Sequence, residues 1–383
     1  KQVIEGSLSW AEAAEQLRLS PRQVGRLCVV VRQQGNKGVI HGLRGKPSNN
    51  QLKDGVMAKA LEMVGKDYMD FGPTFANEKI RKRGVHISIN TLRKGMIEAG
   101  IWKGKKRKAR HRQWRERRTC AGMLVQLDGS LHDWFEGRGP WCTLIIYIDD
   151  ATSKILYGEF VESEDTYHLM RTAKEYLKLY GRVVAYYVDM DGIYKVNRQP
   201  TVEEQLRDVQ PITQFTRAMN QLGIEVISAA TPQAKGRVER GFRTHQDRLV
   251  KEMRLRGIAT IEQANRYLQD EYIAQHNSQF AVEPANATDA HRPLLRSHDL
   301  DAILSIQTPR TVFNDFTVRY KAKFLQLAKE QPVRVYPRIQ VLVQERLDGS
   351  LHILHKGRYL KHEVVAKPAS SPPRVVKIPA KKV

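Results

Sequence analysis

Three carboxylates stand at positions where a folded sheet could bring them together. Asp128 follows the apolar run at 123–127, Asp189 follows the run at 183–188, and Glu239 lies in the first turn of a predicted helix. Carboxylate oxygens are the ligands that Mg²⁺ and Mn²⁺ prefer. Two such ions can stabilise the attacking and the leaving oxygen of an in-line displacement at phosphorus. The three residues therefore predict a two-ion phosphodiester chemistry in which each is both a metal ligand and a catalytic residue.

The residues beside these acids strengthen the interpretation. A single carboxylate at a strand end is more often a turn former than a ligand. Here Gly129 follows Asp128, and Asp189 opens an Asp-Met-Asp-Gly sequence, so that the backbone can approach a ligand closely. Asp191 in that sequence is an alternative to Asp189 as the second ligand.

Cations surround the third acid. Lys235, Arg237, Arg240 and Arg243 flank Glu239 along the predicted helix. They are predicted to bind DNA phosphates, although a merely basic, exposed helix face is the alternative.

The elements that must position these acids follow a recognisable order. Three strands are followed by a helix, a strand, a helix, a strand and a long helix. The strands are predicted at 123–127, 142–148, 154–160, 183–188 and 225–228, and the intervening helices at 165–180 and 213–222. Residues 197–210 are predicted to form an inserted polar loop. This order predicts an α/β ribonuclease-H-like catalytic core, a mixed sheet covered by helices.

The long helix has an apolar stripe that should face this sheet. Val238, Phe242, Leu249 and Met253 repeat at near-helical spacing, and Glu239 lies one position beside them. Glu239 is thus expected to reach over the edge of the sheet toward the two aspartates.

Other polar residues near the predicted site allow two interpretations. His132 and Trp134 could contact a DNA end or could lie in a solvent-facing turn. Asp149 and Asp150, at the end of the second strand, are predicted to be turn residues.

The N-terminal segment predicts a helix-turn-helix. The sequences at 9–12 and 20–23 both have the pattern of a capping box, and a turn of a few residues separates the helices that they begin. The second helix would present Arg22, Gln23 and Arg26 to base edges or phosphates. Two short helices of an ordinary bundle are the alternative.

Basic segments and a second set of helices follow. Arg44 and Lys46 lie in an aperiodic stretch that is predicted to be a basic linker. Helices at 52–64, 74–83 and 89–98, the last with Ser88 as its cap, predict a second helix-turn-helix. The run 103–118 contains ten Lys or Arg residues and one acid, which predicts a linker that contacts DNA phosphates. Its candidate contact residues are Lys105, Lys106, Arg107, Lys108, Arg110 and Arg112.

The C-terminal region has the alternating pattern of strands. Segments at 311–313, 316–320, 333–335, 340–343 and 351–354 alternate apolar and polar residues, and Asp348-Gly349 indicates a hairpin turn. These segments predict a small C-terminal β-barrel for contact with DNA or with another subunit.

The whole chain is therefore predicted to contain the following parts. They are a first helix-turn-helix at 1–36, a basic linker at 37–51, a second helix-turn-helix at 52–102, a basic linker at 103–119, the catalytic core at 120–282, a linker at 283–305, the β-barrel at 306–366 and a disordered tail at 367–383.

Composition agrees with a nucleic-acid partner. Lys and Arg number 64 against 41 Asp and Glu, a formal charge of +23, which favours binding to an extended polyanion. Neither a membrane span nor a signal-peptide core is apparent, and three widely separated cysteines do not suggest a disulfide framework. The chain is thus expected to be intracellular, without a membrane partner.

Three blocks of the sequence resemble a known family. The blocks 126–135, 187–194 and 231–240 resemble the integrase core of bacterial insertion-sequence transposases, and the closest group is ISNCY. The Pro-Gln-x-x-Gly-x-x-Glu sequence that ends at Glu239 is the most specific of them. The middle block departs from the commoner Asp-Asn-Gly form, which leaves Asp191 open beside Asp189.

The resemblance implies a DDE transposase of the retroviral-integrase superfamily. Such an enzyme binds transposon terminal inverted repeats, frees a 3′-hydroxyl and joins it to target DNA, with two Mg²⁺ or Mn²⁺ ions at the three carboxylates. Its expected partners are double-stranded DNA and further copies of the chain, at least as a dimer, in the bacterial cytoplasm near the nucleoid. A catalytically silent DNA-binding regulator and a metal-dependent nuclease of the same fold are the alternatives.

Overall fold

A computed structural model describes most of the chain. The described residues are 1–41, 43–45, 52–104, 116–196, 198–206, 210–228 and 236–366, without the side chains of 203, 204 and 236–240. The chain divides into two compact units, Lys1–Arg107 and Lys108–Val383, and each is described separately.

The first unit begins with the helix pair that the sequence predicts. Helices α1 (Trp10–Leu17) and α2 (Pro21–Gln34) follow Ser9 and Ser20, whose hydroxyls accept the backbone N–H of the third helical residue. The glycine at position 25 lets the two helices approach, since a Cβ there would lie 2.8 Å from the ring of Trp10. Only three residues of this pair are fully buried apolar ones, so its core is small.

Three more α-helices follow in the described part of the first unit. They are α3 (Val56–Asp67), α4 (Pro73–Lys82) and α5 (Ile89–Glu98). Ser88 caps α5 through the N–H of Thr91, as predicted. Phe71, Phe75 and Ile80 lie in their shared core. The bounds agree with the sequence prediction to within a few residues, while a DNA-binding role for either helix set stays a prediction.

A five-stranded mixed sheet forms the centre of the second unit. Its strands are β1 (Leu124–His132), β2 (Cys142–Asp149), β3 (Ile155–Val161), β4 (Ala185–Val188) and β5 (Glu225–Ser228). They lie in the order β3-β2-β1-β4-β5. The first three are antiparallel neighbours, β4 runs parallel to β1, and β5 runs parallel to β4. This is the ribonuclease-H-like order that the sequence predicts.

Helices cover both faces of this sheet. On one face pack α6 (Thr166–Tyr180) and α8 (Gln214–Gln221), with Leu127 and Tyr147 in the shared core. On the other pack α9 (Gly236–Leu255), α10 (Ile261–Tyr267) and α11 (Ile273–Phe280), joined by a π-helical turn at 268–272. The side chains of Phe242, Leu249 and Met253 are buried there, which confirms the described part of the predicted stripe.

Two asparagines satisfy the open edge of the sheet at β3. Asn265 bonds the backbone N–H and carbonyl of Phe160 at 2.7 and 2.9 Å. Asn277 does the same for Ile155, at 2.8 Å for both bonds. These side chains bond backbone groups of β3 that a further strand would otherwise pair.

The segment between β4 and α8 differs from its prediction. Instead of an entirely irregular polar loop at 197–210, it contains a short helix, α7 (Val202–Leu206). Both Val202 and Leu206 are exposed, so the helical turn is not fixed by an apolar core beneath these two residues.

The C-terminal strands form two sheets instead of a closed barrel. One contains β6 (Ile306–Thr311), β9 (Gln340–Glu345), β10 (Leu351–His355) and β11 (Arg358–Leu360). The other contains β7 (Thr317–Tyr320), β8 (Lys323–Leu327) and β12 (His362–Val365). The two sheets share one core, and the turn at 348–349 joins β9 to β10 as predicted, while 333–335 is not a strand.

The predicted linker at 283–305 is partly built into the core. It includes α12 (Leu300–Ile303), and Leu304 is completely buried in the cluster beneath α6 and α8. No helix among the described residues is long and apolar enough to cross a membrane.

Candidate active site

Asp128 lies inside β1 and not at its end. The strand continues four residues further, to His132, and Asp128 pairs with Ile146 of β2. The prediction of a strand that stops before Asp128 was wrong, because Gly129 and the polar residues beyond it remain paired with β2. Alternation along the strand places Asp128 on the face shared by Gln126 and Ser130, opposite the face of Leu127.

Asp189 follows β4 directly, as predicted. The parallel register pairs Gln126 with Tyr187, and continuing it by two residues aligns Asp128 with Asp189. Neighbouring strands lie only about 4.8 Å apart, so the two backbones hold these carboxylates side by side. Both residues are half-buried.

The carboxylates of Asp189 and Asp191 accept hydrogen bonds from backbone N–H groups of the loop that follows β4. A carboxylate oxygen of Asp189 accepts the N–H of Asp191 at 2.9 Å, and Asp191 in turn accepts the N–H of Ile193 at 3.1 Å. The backbone N–H of Tyr194 donates to the carbonyl of Asp191 at 3.0 Å. Asp191 is exposed, whereas Asp189 is half-buried.

Glu239 belongs to α9, as predicted, but its side chain lies outside the described ones. Its helix is fixed over β1, since Gln246 donates to the hydroxyl of Ser130 at 3.3 Å. Ser130 shares its strand face with Asp128, two residues away. The structure therefore places the backbone of α9 across the face of β1 that carries the first aspartate.

A fourth carboxylate, Glu164, lies close enough to the aspartates for their charges to act on it, but it packs at Gly129, on the face of β1 opposite to that of Asp128. It sits in the loop between β3 and α6, half-buried, and its Oε1 accepts the hydroxyl of Tyr194 at 2.9 Å. The sequence does not single it out, because Glu162-Ser163-Glu164-Asp165 resembles an exposed acidic turn before a helix cap. The only signal is the glycine at position 129, which leaves room for this side chain above β1.

The pKa of Glu164 reflects its burial and the negative charges of the neighbouring carboxylates. The pKa of Glu164 is raised to about 7, first because burial disfavours the charged carboxylate. The charges of Asp128, Asp189 and Asp191 raise its pKa as well, while the bond from Tyr194 lowers it. Burial also raises the pKa of the Tyr194 hydroxyl far above its usual range, so this hydroxyl stays a donor.

These residues fit a divalent cation by their chemistry. Asp128 and Asp189 offer hard oxygen ligands from adjacent strands, and their charges are close enough to act on Glu164. Among the described residues, no group of three or more His, Cys, Asp or Glu is placed to hold a metal ion. The side chain of Glu239 is not in that set.

Two other acids have a structural role. Asp149 is buried and accepts the N–H and the hydroxyl of Thr152, at 2.8 and 2.7 Å. Asp150 is buried and accepts the amide of Gln126 at 2.7 Å. Their interpretation as turn residues is confirmed.

Neither expectation for Trp134 is correct. Its ring is completely buried against Phe160, and its indole N–H donates to the carbonyl of Ser130 at 3.0 Å. The ring is therefore part of the core and not a surface for a DNA base.

The predicted DNA-binding residues fall into three groups. Arg22, Gln23, Arg26, Arg44 and Arg243 are exposed. Lys46, Lys105, Lys106, Arg107, Lys108, Arg110, Arg112 and Lys235 lie outside the described residues. Arg237 and Arg240 belong to α9, but their side chains are not described. No contact with DNA is tested for any of them, and all stay predictions.

Two bacterial proteins are similar to nearly the whole chain. "Putative transposase y4bF" of Sinorhizobium fredii (strain NBRC 101917 / NGR234) is 38% identical over 95% of this chain and 79% of its own length. "Transposase for insertion sequence IS1202" of Streptococcus pneumoniae is 27% identical over 96% of this chain and 86% of its own. No protein-family model matches the chain.

Two solved structures with some likeness to the chain are a viral intasome and an integrase catalytic core. A simian T-cell lymphotropic virus intasome in complex with PP2A regulatory subunit B56 gamma covers 76% of this chain and 96% of its own, with 11% identity and a TM-score of 0.34. The HTLV-2 integrase catalytic core domain in complex with magnesium covers 38% of this chain and 82% of its own, with 12% identity and a TM-score of 0.28. These scores are too low to support a conclusion about this chain.

Proposed function

The chain belongs to the transposases of bacterial insertion sequences, and we propose that it is a DDE recombinase that cuts its transposon ends and joins them to target DNA. The observation that carries this proposal is the parallel pairing of β1 with β4, whose register, continued two residues past Tyr187, brings Asp189 beside Asp128. Glu239, at the start of the helix that crosses β1, supplies the third carboxylate.

In this proposal the carboxylates would hold the metal ions, and no side chain attacks the phosphorus. Asp128 presents its oxygens from within β1, and Asp189 presents its own from the residue that follows β4, so the paired strands bring the two carboxylates near each other. Divalent ions bound at these carboxylates would stabilise charge on the attacking and leaving oxygens. No protein nucleophile is needed, since water or a DNA hydroxyl is the attacking group.

Two displacements follow from this arrangement. In the first, water attacks the phosphorus at the transposon end, the P–O3′ bond breaks, and a free 3′-hydroxyl remains on the transposon. In the second, that hydroxyl attacks a phosphodiester of the target and releases a target 3′-hydroxyl. Each step forms one P–O bond and breaks one, so the joining needs no external energy source.

Binding of double-stranded DNA follows from charge and exposure. The exposed Arg22, Gln23 and Arg26 of α2 are proposed to read the terminal inverted repeat, and the basic residues of the run 103–118 to contact phosphates. Arg243 and the cations near Glu239 are proposed to bind the phosphates next to the reaction. Two ends must be joined together, so the active form is at least a dimer.

The deciding experiment uses labelled inverted-repeat DNA, a plasmid target and Mg²⁺. The proposal predicts joined products for the wild-type chain and none for Asp128→Asn. Nicks without joining would favour the nuclease alternative. Tight binding of the repeat without any cleavage would favour the silent regulator, and either result would overturn the proposal.

A further inference from the structure

The hydrogen bond between Tyr194 and Glu164 connects the two loops that border the active site. Tyr194 is only 3% exposed, and it lies five residues after Asp189 in the loop that begins there. Glu164 belongs to the loop between β3 and α6 on the other side. Their bond is 2.9 Å long and spans 30 residues of sequence.

Glu164 in turn packs directly on β1. A Cβ atom at position 129 would overlap its carboxyl group, so that only glycine permits this placement. The contact lies one residue after Asp128. Glu164 is thus wedged between the backbone that carries the first aspartate and the tyrosine that ends the loop of the second.

Tyr194 is also fixed from its other side. Its backbone carbonyl accepts the hydroxyl of Thr216 at 2.8 Å, in the first turn of α8. Its ring meets Phe215 edge-on, with 5.6 Å between ring centroids. The short loop between Asp189 and Tyr194 therefore has one end on β4 and the other on α8 and Glu164.

We propose that Glu164 and Tyr194 form a clamp that sets the position of Asp189 relative to Asp128. Both are positioning residues: Tyr194 holds the loop, and Glu164 holds Tyr194 against β1. This inference rests on the proposed function, because the two aspartates must first be the cation-binding residues. Without the clamp, Asp128 and Asp189 would still be present, but their carboxylates would be poorly aligned to bind one ion.

The chain contains a matched control for this bond. Tyr157 donates its hydroxyl to Glu159 at 2.9 Å in the same core, and both residues belong to β3, which β2 and β1 separate from β4 in the sheet. Tyr157→Phe removes an equivalent tyrosine–glutamate bond, so its effect measures the general cost of losing such a bond.

The experiment measures Mn²⁺ binding to the full chain without DNA, from the electron paramagnetic resonance signal of free Mn²⁺. Tyr194→Phe is expected to weaken binding about tenfold, or ~1.4 kcal/mol. Tyr157→Phe should leave it unchanged. Glu164→Gln keeps an oxygen that accepts the bond from Tyr194, and should bind within about threefold of wild type since ~0.65 kcal/mol is a threefold change.

Three outcomes separate the possibilities. Wild-type affinity in Tyr194→Phe, together with loss of binding in Asp189→Asn, overturns the clamp and leaves the proposed function intact. Wild-type affinity in Asp189→Asn overturns the proposed site itself. A larger loss in Glu164→Gln than in Tyr194→Phe overturns the clamp in favour of Glu164 as a direct ligand.

Stability of the variants is checked in the same samples. The melting temperature without metal should change equally in Tyr194→Phe and Tyr157→Phe. If Tyr194→Phe does not fold, Glu164→Ala and Glu164→Gln provide the same test, because only the second retains the acceptor. Equal Mn²⁺ affinity of those two variants contradicts the clamp.

Discussion

Gln246 of α9 donates a hydrogen bond to Ser130 of β1 at 3.3 Å. Ser130 is two residues after Asp128 and lies on the same strand face. Gln246 is seven residues after Glu239, which is about two helical turns and returns to nearly the same side of the helix. The bond therefore ties α9, the helix to which Glu239 belongs, to the face of β1 that carries Asp128.

The first prediction concerns Glu239. Glu239→Gln should lower the rate of strand transfer more than about 100-fold, or ~2.7 kcal/mol in transition-state stabilisation, because an amide is a poor ligand for a hard cation. Single-turnover joining of a precut transposon end measures this rate. The control is Glu225→Gln, which changes an exposed acid at the start of β5. Comparable losses in both variants would count against a role for Glu239.

A second prediction concerns the exposed cations of α2. Arg22→Ala and Arg26→Ala should each weaken binding to inverted-repeat DNA by roughly tenfold, within the 1–3 kcal/mol of a specific base contact. Arg32→Ala provides the control, because Arg32 is exposed in the last turn of the same helix. Fluorescence anisotropy at fixed salt compares the three variants. An equal effect of all three would indicate a general charge effect instead of a recognition helix.

The third prediction concerns acid stability. Burial lowers the pKa of His276 to about 4, below its usual 6.5, and its ring lies 4.8 Å from that of the buried His245. A lowered pKa means that His276 contributes stability above pH 6.5 that is lost as the pH falls toward 4. The loss amounts to about 3 kcal/mol at most for a shift of this size.

His276→Phe tests this contribution, because it keeps a ring beside Phe280 and removes the titration. The melting temperature of the wild-type chain should fall more steeply than that of the variant between pH 6.5 and pH 4.5. Parallel curves for the two proteins would show that His276 is not the group responsible.

The fourth prediction concerns the segment before the C-terminal sheets. Leu304→Ala should destabilise the second unit by about 2–5 kcal/mol, as expected for a buried leucine. Leu295→Ala is the matched control, because Leu295 is about half exposed in the same segment. It should lower the free energy of unfolding by less than about 0.5 kcal/mol. Chemical denaturation followed by tryptophan fluorescence measures both. Equal effects would mean that the segment behaves as a free linker.

The sequence predicts the secondary structure of the catalytic core well for a physical reason. Strong capping residues such as Asp165 and Thr213 begin its helices, and continuous apolar runs form its buried strands. Because the order of strands and helices admits few topologies, the parallel pairing of β1 with β4 follows from it, and the predicted convergence of Asp128 with Asp189 agrees with that pairing.

The remaining features depend on contacts between distant segments. Glu164 lies 30 residues before Tyr194, and its acidic neighbours in sequence give no indication that it is half-buried. Trp134 follows the polar residues His132 and Asp133 in sequence, but it is buried against Phe160 in the core beneath α9, α10 and α11. The closed barrel was not confirmed because alternation predicts strands but not how seven of them divide between two sheets.

The most direct test of the central claim compares Asp189→Asn with Asp191→Asn in one strand-transfer assay with Mg²⁺. The parallel register aligns Asp189 with Asp128, whereas Asp191 is exposed and caps the loop. We expect Asp189→Asn to yield no joined product and Asp191→Asn to retain at least about a tenth of the wild-type rate, a cost of ~1.4 kcal/mol. Joined product from Asp189→Asn, with none from Asp191→Asn, would contradict the assignment.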